Sequence, residues 1–575
     1  MTKLPIKWDN NPEDVTPLPV KRTRKPKAEP APENSVTTDA RGFIGGYFKP
    51  LGWDTESRAQ RFYFYSKTSN AILAFSTAKF TKQHVTALAP LEFWDHEVFV
   101  KSENISNFLV QCCNKVGYFD LQNIRGRGAW KESDRIIFHS GMQLLSEKIR
   151  YNLGSIETEF TYEMRKNIRI PIESSMDRIE CSLLTKILSS LNWQTEADGK
   201  MLAGWLAIAP ICGALSWRPH CWITGPRGNG KTYVLEQIIH QVLGEFSINA
   251  QGTAATEAAI RQKLNSDAMP VTIDESEGND ENAARRMQEV IALARAGSSE
   301  KSPAIPKGGK DGKATDYFIR SCFLFVSINP QLVNDSDKRR FTVFELAKHQ
   351  DAEKFNILNK KKKEVINKDF GVRFIARMVN LVPNILQSIA IFTEVITEAV
   401  GDRATGDQFG ALLGGWWHTW NDDVVTFEQA CEESIELLKM KGLLNQISDL
   451  TDEERCLQTI LQNETRIEGD FIGTVTVGEL VEYASEYDPQ AKIKQNAANE
   501  RLMRLGLKVV QDNKEKYLLI LNTSTWVKMI LSRTPWAISY STVLLRHKGA
   551  EKKGTTRFAA GLIGRCVQIN LKNVL

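Results

Sequence analysis

The chain has no CxxC pair, no HxxxH or HExxH spacing and no long uninterrupted apolar run. Nine cysteines, an odd number, and eight dispersed histidines argue against a disulfide framework and against a zinc site, and suit a reducing compartment. The longest uncharged apolar stretch, Met201 to Trp217, is broken by Gly204, Pro210 and Gly213, so it reads as a buried helix and not as a membrane span. The amino terminus carries no apolar signal core, so neither export nor a membrane partner is expected. A large charge imbalance is missing too, with a net charge of +5. What is there is 42% apolar residues over 575 positions, enough for several cores, roughly three to four domains.

Charge is uneven along the chain. Residues 521 to 575 hold Lys528, Arg533, Arg546, Lys548, Lys552, Lys553, Arg557, Arg565 and Lys572 against Glu551 alone. That suits either contact with a phosphate backbone or a solvated basic tail. Residues 1 to 40, with VKRTRKPKAEPAPENS, are too poor in apolar surface to offset the entropy of ordering, and predict a disordered arm whose Lys21, Arg22, Arg24, Lys25 and Lys27 suit non-specific nucleic-acid contact. From 41 to 150, short aromatic alternating segments such as Arg61 to Tyr65 and Ala71 to Phe75, joined by KTSN, predict a small β-rich domain. Its RGRGAW at 125 to 130 lacks a phosphate-binding lysine and reads as a turn before a strand at Arg135 to His139. Helical periodicity marks 151 to 220 as a collar and 351 to 445 as a lid. In 446 to 575, helices at Glu453 to Leu461, Val477 to Ala484 and Ala497 to Leu505, then strands at Leu507 to Gln511 and Tyr517 to Leu521 around DNKE, have the order of a winged helix.

Residues 221 to 350 alternate strand and helix. Strands at Cys221 to Thr224, Phe246 to Ala250, Pro270 to Asp274, Cys322 to Ile328 and Phe341 to Leu346 predict an α/β core, a mostly parallel five-stranded sheet with flanking helices near 231 to 243, 253 to 264 and 280 to 296. The first strand runs into GPRGNGKT, where Gly225, Pro226, Arg227, Gly228, Asn229, Gly230, Lys231 and Thr232 have the GxxxxGKT pattern. Backbone N–H groups can wrap a phosphate only where side chains do not intervene, a lysine must reach the terminal phosphates, and a hydroxyl must ligate Mg2+. The ligand expected is a nucleoside triphosphate, ATP.

Hydrolysis needs a carboxylate on a second strand. VTIDE at 271 to 275 supplies Asp274 to hold the metal and Glu275 to polarise the attacking water, while Glu277 and Asp280 suit caps of the next helix. FLFVSIN ends in Ser327 and Asn329 at the carboxyl edge where ligands bind in such sheets, so Asn329 would contact the γ-phosphate or water, or else form a turn before Pro330. Arg339 and Arg340 precede the last strand, and Arg340 is the favoured finger toward a neighbouring subunit's nucleotide. Between these elements SPAIPKGGKDGKATDYFIRS predicts a hairpin with Lys307, Lys310 and Lys313 near its glycine-rich tip, charge suited to a single strand in a pore or else only to solvent.

This order of elements resembles the AAA+ core of superfamily 3 helicases. GTAATEAAIRQKL, IRSCFLFVSIN, GDQFGALLGG, FKPLGWD and LAPLEFW are similar to a phage and prophage family of DNA primase/helicase proteins, a likeness spanning most of 42 to 575. The resemblance implies that Lys231 and Thr232 are the first-motif phosphate and magnesium ligands, Asp274 and Glu275 the second-motif acids, Asn329 the sensor and Arg340 the finger. Lys307, Lys310 and Lys313 fall where that family's DNA-contacting hairpin sits. Ahead of residue 168 the sequence departs from the primase half, with no CHC2-type zinc ligands and no acidic triad. Arg403 reads either as a second sensor or as an ordinary helix-end arginine.

The expectation is therefore an ATP- and Mg2+-dependent homo-hexameric helicase, 3′ to 5′ on single-stranded DNA by resemblance, acting on forked duplex in phage or mobile-element replication in the bacterial cytoplasm, beside a separate primase or other replication proteins. An arginine acting in trans needs a head-to-tail interface, and such interfaces close into rings. Lys492, Lys494, Arg501, Arg504 and Lys508 suit a grip on duplex, although winged helices also dock proteins. The alternative is an origin-binding initiator or helicase loader that uses ATP for assembly. A nucleic-acid-sensing defence ATPase would need an effector, and none is visible in the sequence.

Overall fold

The computed structural model describes residues 37–574 except 55–59, 96–98, 100, 275–280, 303–304, 309–313, 349–351, 443–450, 468–472, 487–492, 513–514, 533 and 535. The basic arm, Glu275, Glu277, Asp280, Lys310, Lys313, Lys492 and Arg533 therefore lie outside the described residues. The chain divides into two compact units, residues 1–124 with 152–164, and residues 125–151 with 165–575.

In the first unit, Phe48–Asp54, Arg61–Ser66 and Ala71–Phe75 form a three-stranded antiparallel sheet. The hairpin expected at KTSN forms, with Ser66 opposite Ala71 and Asn70 at φ +47, a left-handed conformation that asparagine tolerates better than most residues. Phe48, Phe62, Phe64, Phe75 and Trp94 make its core together with Ile105 and Leu109 of the helix Ser102–Val116.

The second unit begins with antiparallel strands Gly128–Lys131, Ile136–His139 and Gln143–Ser146. Arg125 and Gly128 to Trp130 of RGRGAW are thus strand, with Gly128 opposite His139, where the sequence suggested a turn. A Cβ at Gly126 would lie 2.2 Å from Asp267 Oδ1, and Arg127 donates to Asp267 through its backbone N (2.6 Å) and Nη2 (2.6 Å). This glycine-rich segment grips a carboxylate of the protein itself.

Helices α1 (Arg178–Ser189) and α2 (Ala197–Ile208) lead to the core sheet. Its strands are β1 (His220–Thr224), β2 (Ile248–Gln251), β3 (Val271–Asp274), β4 (Phe323–Val326) and β5 (Phe341–Glu345), all parallel in the order β2-β3-β4-β1-β5. Each falls within a residue or two of where the apolar runs predicted. β1 and β4 are buried at every position, as parallel strands covered on both faces must be, and the Trp222 ring stacks on Phe325 at 4.7 Å. Helix α3 covers Lys231–Val234, Leu235–Ile239 and His240–Leu243, the middle segment being a π turn. It is followed by α4 (Glu257–Leu264) and α5 (Glu281–Gly297).

Five helices come next, α6 (Ala352–Val365), α7 (Phe370–Asn380), α8 (Val382–Val400), α9 (Arg403–Trp417) and α10 (Phe427–Met440). The glycines of GDQFGALLGG are explained by packing. A Cβ at Gly410 would meet Thr393 Cα at 2.7 Å and one at Gly414 would meet Ile389 Cα at 2.9 Å, so spacing of four lets the α8 backbone lie directly against α9. No single helix among the described residues is long and apolar enough to cross a membrane; α7 and α8, bent by 70°, reach that length and composition only jointly.

The carboxyl-terminal region has α11 (Asp452–Leu461), α12 (Val477–Ser485) and α13 (Gln495–Leu505), with capping boxes Thr451/Glu454 and Thr476/Glu479 fixing the first two starts. The expected strand pair follows as β6 (Leu507–Asp512) and β7 (Glu515–Leu521). A short antiparallel pair, Glu464–Ile467 with Gly473–Thr476, lies between α11 and α12 where none was expected. The basic end of the chain is not a solvated tail. β8 (Ala550–Ala559) and β9 (Leu562–Asn570) complete a four-stranded antiparallel sheet in the order β6-β7-β9-β8, and Val567 and Ile569 of β9 share one core with Leu480, Leu502 and Ile520.

Candidate nucleotide site

Register alignment across the core sheet brings the three expected elements to one edge. Asp274 of β3 is level with Val326 of β4, and Val326 with Ile223 of β1. Thr224 and the glycine loop, Asp274, and Ser327 to Asn329 therefore all leave the sheet at its carboxyl ends, where α/β sheets bind ligands.

The loop takes the shape its glycines allow. Gly225, Gly228 and Gly230 have φ of +140, +80 and +87, values that L side chains adopt at a cost of about 1–2 kcal/mol each. Nothing stands within 4 Å of where a Cβ would be at Gly228 or Gly230, whereas at Gly225 it would lie 2.5 Å from the Leu346 carbonyl oxygen. Gly225 is thus needed for packing, and the other two leave open space over the backbone. Pro226, Arg227 and Gly228 are exposed, and Asn229 is buried, donating from Nδ2 to Leu346 O at 2.7 Å.

Lys231 opens α3 and folds back over the loop, its Nζ donating to Gly225 O (2.5 Å) and Pro226 O (2.9 Å). Burial lowers its pKa from the ordinary lysine value, and the charge of Asp274 opposes that shift. Asp274 is half-buried; burial first and then the charge of Glu236 raise its pKa, while Lys231 lowers it. Lysine and aspartate are thus within electrostatic reach of each other, as a phosphate and metal site requires. Thr232 is exposed one residue further on. Glu236, which sits in the π turn and whose charge Asp274 feels, was not singled out from sequence. A helical glutamate four residues after a threonine carries no local signal.

Ser327 is occupied in holding the edge together, accepting from Trp222 Nε1 (2.9 Å) and donating to Asn329 O (2.9 Å). Asn329 is exposed beyond it. Glu275 lies outside the described residues.

Arg339 and Arg340 are at the opposite edge. Phe341, which follows them, pairs with His220 at the start of β1, so both arginines are a full strand length from the loop that β1 ends in. Arg340 turns inward, donating from Nη1 to Ser336 O (2.7 Å) with its guanidinium 5.8 Å from the Trp217 ring centre. Arg339 is exposed. Arg403 forms an i,i+4 pair with Asp407 at 2.9 Å behind the Asp402 cap, as a helix-end arginine does.

The lysine-bearing segment is a hairpin. Ile305–Gly308 pairs antiparallel with Ala314–Tyr317, with Lys307 opposite Thr315; Lys310 and Lys313 lie outside the described residues. It precedes β4 and so stands at the same edge as Arg339. Its base is anchored by groups the sequence did not reveal. The Arg261 guanidinium lies 4.1 Å from the Tyr317 ring centre, and Glu300 accepts from Arg320 Nε (2.9 Å) and from buried Arg218. Burial pushes the Glu300 carboxyl up, but Arg218 and Arg320 outweigh it and hold it below the usual range.

Fold and site together define a mixed α/β protein with a five-stranded parallel sheet, flanking helices and a GxxxxGKT loop at the sheet's carboxyl edge. No family model and no curated protein matches the chain. Among solved structures, the A form apo structure of the NrS-1 C-terminal region aligns at 11% identity and a TM-score of 0.30, over 91% of this chain and 96% of that one. An apo structure of NrS-1 residues 305–718 aligns at 12% identity and a TM-score of 0.28, over 75% of this chain and 96% of that one. Scores at that level establish no common architecture.

Proposed function

We propose that this protein is a ring-forming, Mg2+-dependent ATPase of the AAA+ type that moves on single-stranded DNA and opens forked duplex during phage or mobile-element replication. The observation carrying the proposal is the placement of the expected residues at the two edges of one sheet. The loop, Asp274 and Asn329 converge on the carboxyl edge, and Arg339, Arg340 and the lysine hairpin stand at the amino edge.

The residues present fit a magnesium triphosphate. Left-handed Gly228 and Gly230 with open space above them suit backbone N–H contact to phosphate oxygens, and the exposed Thr232 hydroxyl and half-buried Asp274 are oxygen donors of the kind Mg2+ prefers. Lys231 would exchange its two carbonyl contacts for phosphate oxygens. The metal, when bound, neutralises charge on the transferred phosphoryl group. Asp274 would hold that metal, Glu275 would polarise the attacking water, and Asn329 would hold the water or γ-phosphate. Arginines a strand length from their own loop serve a neighbour's nucleotide, which calls for a head-to-tail ring. Arg339, exposed, is free to reach outward; Arg340 must first leave Ser336. Lys307, Lys310 and Lys313 would line the ring's opening and bind a strand by its phosphates.

Strand displacement on forked DNA of both polarities, with Lys231→Ala as the inactive control, tests the proposal. The expected result is ATP-dependent displacement on one polarity. Lys307→Ala/Lys310→Ala/Lys313→Ala should abolish DNA-stimulated hydrolysis and leave basal turnover. Hydrolysis without displacement on any substrate would favour an initiator or loader.

A further inference from the structure

The β8–β9 hairpin carries a concentration of positive charge that the ATPase reading does not use. Lys552, Lys553 and Arg557 on β8, Arg565 on β9, and Arg546 and Lys548 just ahead are all exposed. Residues 551 to 555 are exposed without a break. Successive strand residues face opposite sides, so β8 is open to solvent on both sides there, while Cys566, Val567 and Gln568, its partners on β9, are buried. Neutralising partners are few. Lys553 is 3.9 Å from Asp512 in an exposed pair, a contact worth little, and Glu551 is the one acid between 521 and 575. Lys508 of β6 comes to 3.4 Å from the Arg557 carbonyl oxygen, adding a further cation to the same place.

Protection of a sheet edge explains only part of this. β8 is the edge strand, and lysines there discourage pairing with another chain. Arg565 is on the inner strand β9, where no edge needs protection. Gly554 sits at a β-bulge, where the pairing register shifts between Lys553 and Thr556, a common place for a strand glycine, and nothing lies within 4 Å of where its Cβ would be, so the backbone there is open to solvent. This glycine lies between Lys553 and exposed Thr555, in the sequence KKGTTR.

We infer that the β8–β9 hairpin is a sequence-independent docking surface for the phosphate backbone of duplex DNA. Duplex fits better than a single strand because no aromatic side chain is exposed on the hairpin, Phe558 being buried, and single-strand sites rely on aromatic stacking. The inference deepens the proposed DNA reading: the hairpin holds the duplex, while the Lys307 hairpin takes the separated strand. On the neighbouring α13, Arg501 is engaged with Thr465 at 2.9 Å.

Fluorescence anisotropy with the full chain and two blunt duplexes of unrelated sequence tests it. Lys552→Gln/Lys553→Gln/Arg557→Gln/Arg565→Gln should weaken both duplexes equally, about tenfold or more at moderate salt, and reduce the slope of log affinity against log salt by about 3 to 4, at roughly 0.9 for each phosphate no longer neutralised. Single-strand binding, ATP turnover and the melting temperature should not change. The exposed lysines of α6 supply the charge control, Lys360→Gln/Lys361→Gln/Lys363→Gln, which should bind duplex as wild type does. Undiminished duplex binding by the fourfold variant, or an equal loss in the α6 control, overturns the inference. A wild type that hydrolyses no ATP, with the fourfold effect intact, would overturn the motor reading alone.

Discussion

Asn229 donates its side-chain amide to the carbonyl of Leu346 at 2.7 Å, tying the glycine loop to the exit of β5, the strand whose entrance follows Arg339 and Arg340. Nucleotide loop and finger edge are thus joined through a single rigid strand. Asn229 is buried, and leaving the Leu346 carbonyl without this donor costs about 1–3 kcal/mol. Asn229→Ala should lower the melting temperature and raise the KM for ATP more than it lowers kcat. An unchanged melting temperature together with an unchanged KM would show that the loop does not depend on this bond.

Gly225 and Gly228 separate packing from binding. At Gly225 an added Cβ would lie 2.5 Å from backbone oxygen, and at Gly228 it meets nothing within 4 Å. Gly225→Ala should lower stability well beyond the backbone strain of about 1–2 kcal/mol that both positions share, and Gly228→Ala should lose nucleotide affinity with a smaller change in stability. Thermal melts beside nucleotide titrations distinguish the two; equal melting temperatures would contradict the geometry.

Asp274 sets function against stability. Burial and the charge of Glu236 raise its pKa above the ordinary 3.8 despite Lys231. In the folded state it holds its proton to higher pH than in the unfolded chain, so its effect on stability turns unfavourable as pH rises from about 3.8 through the raised folded value. Asp274→Asn should therefore melt higher than wild type at neutral pH, the gain shrinking as pH falls, while hydrolysis is lost. A lower melting temperature at neutral pH would mean that the carboxylate is held favourably.

The two arginines should divide by role. Arg339→Ala should reduce ATP turnover of the assembled protein by about a thousandfold with little change in stability, and Arg340→Ala should also lower the melting temperature, since it loses Ser336 and Trp217. Mixing the inactive Arg339→Ala and Lys231→Ala proteins should restore part of the turnover at mixed interfaces. No recovery on mixing would argue against an arginine acting in trans.

Much of the nucleotide site was legible because its information is local. GPRGNGKT specifies left-handed turns by its glycines, and VTID and FLFV read as buried strands from apolar runs alone. The glycine stripe of GDQFGALLGG looked like a family signature and is a packing surface against α8, a distinction that needs the neighbouring helix. RGRGAW was legible only in part. Gly126 leaves room for Asp267, which Arg127 holds from 140 residues away, and no local pattern carries that pairing.

The sequence by itself determined the strands of the core, the phosphate-loop pattern and the helix starts set by capping boxes, because periodicity, glycine placement and side-chain caps act within a few residues. Tertiary structure alone decided that Arg339 stands at the edge opposite Lys231, that the charge of Glu236 reaches Asp274, and that the basic end of the chain becomes two strands of a sheet. Those outcomes follow from which distant segments hydrogen-bond side by side and bury one another's apolar faces.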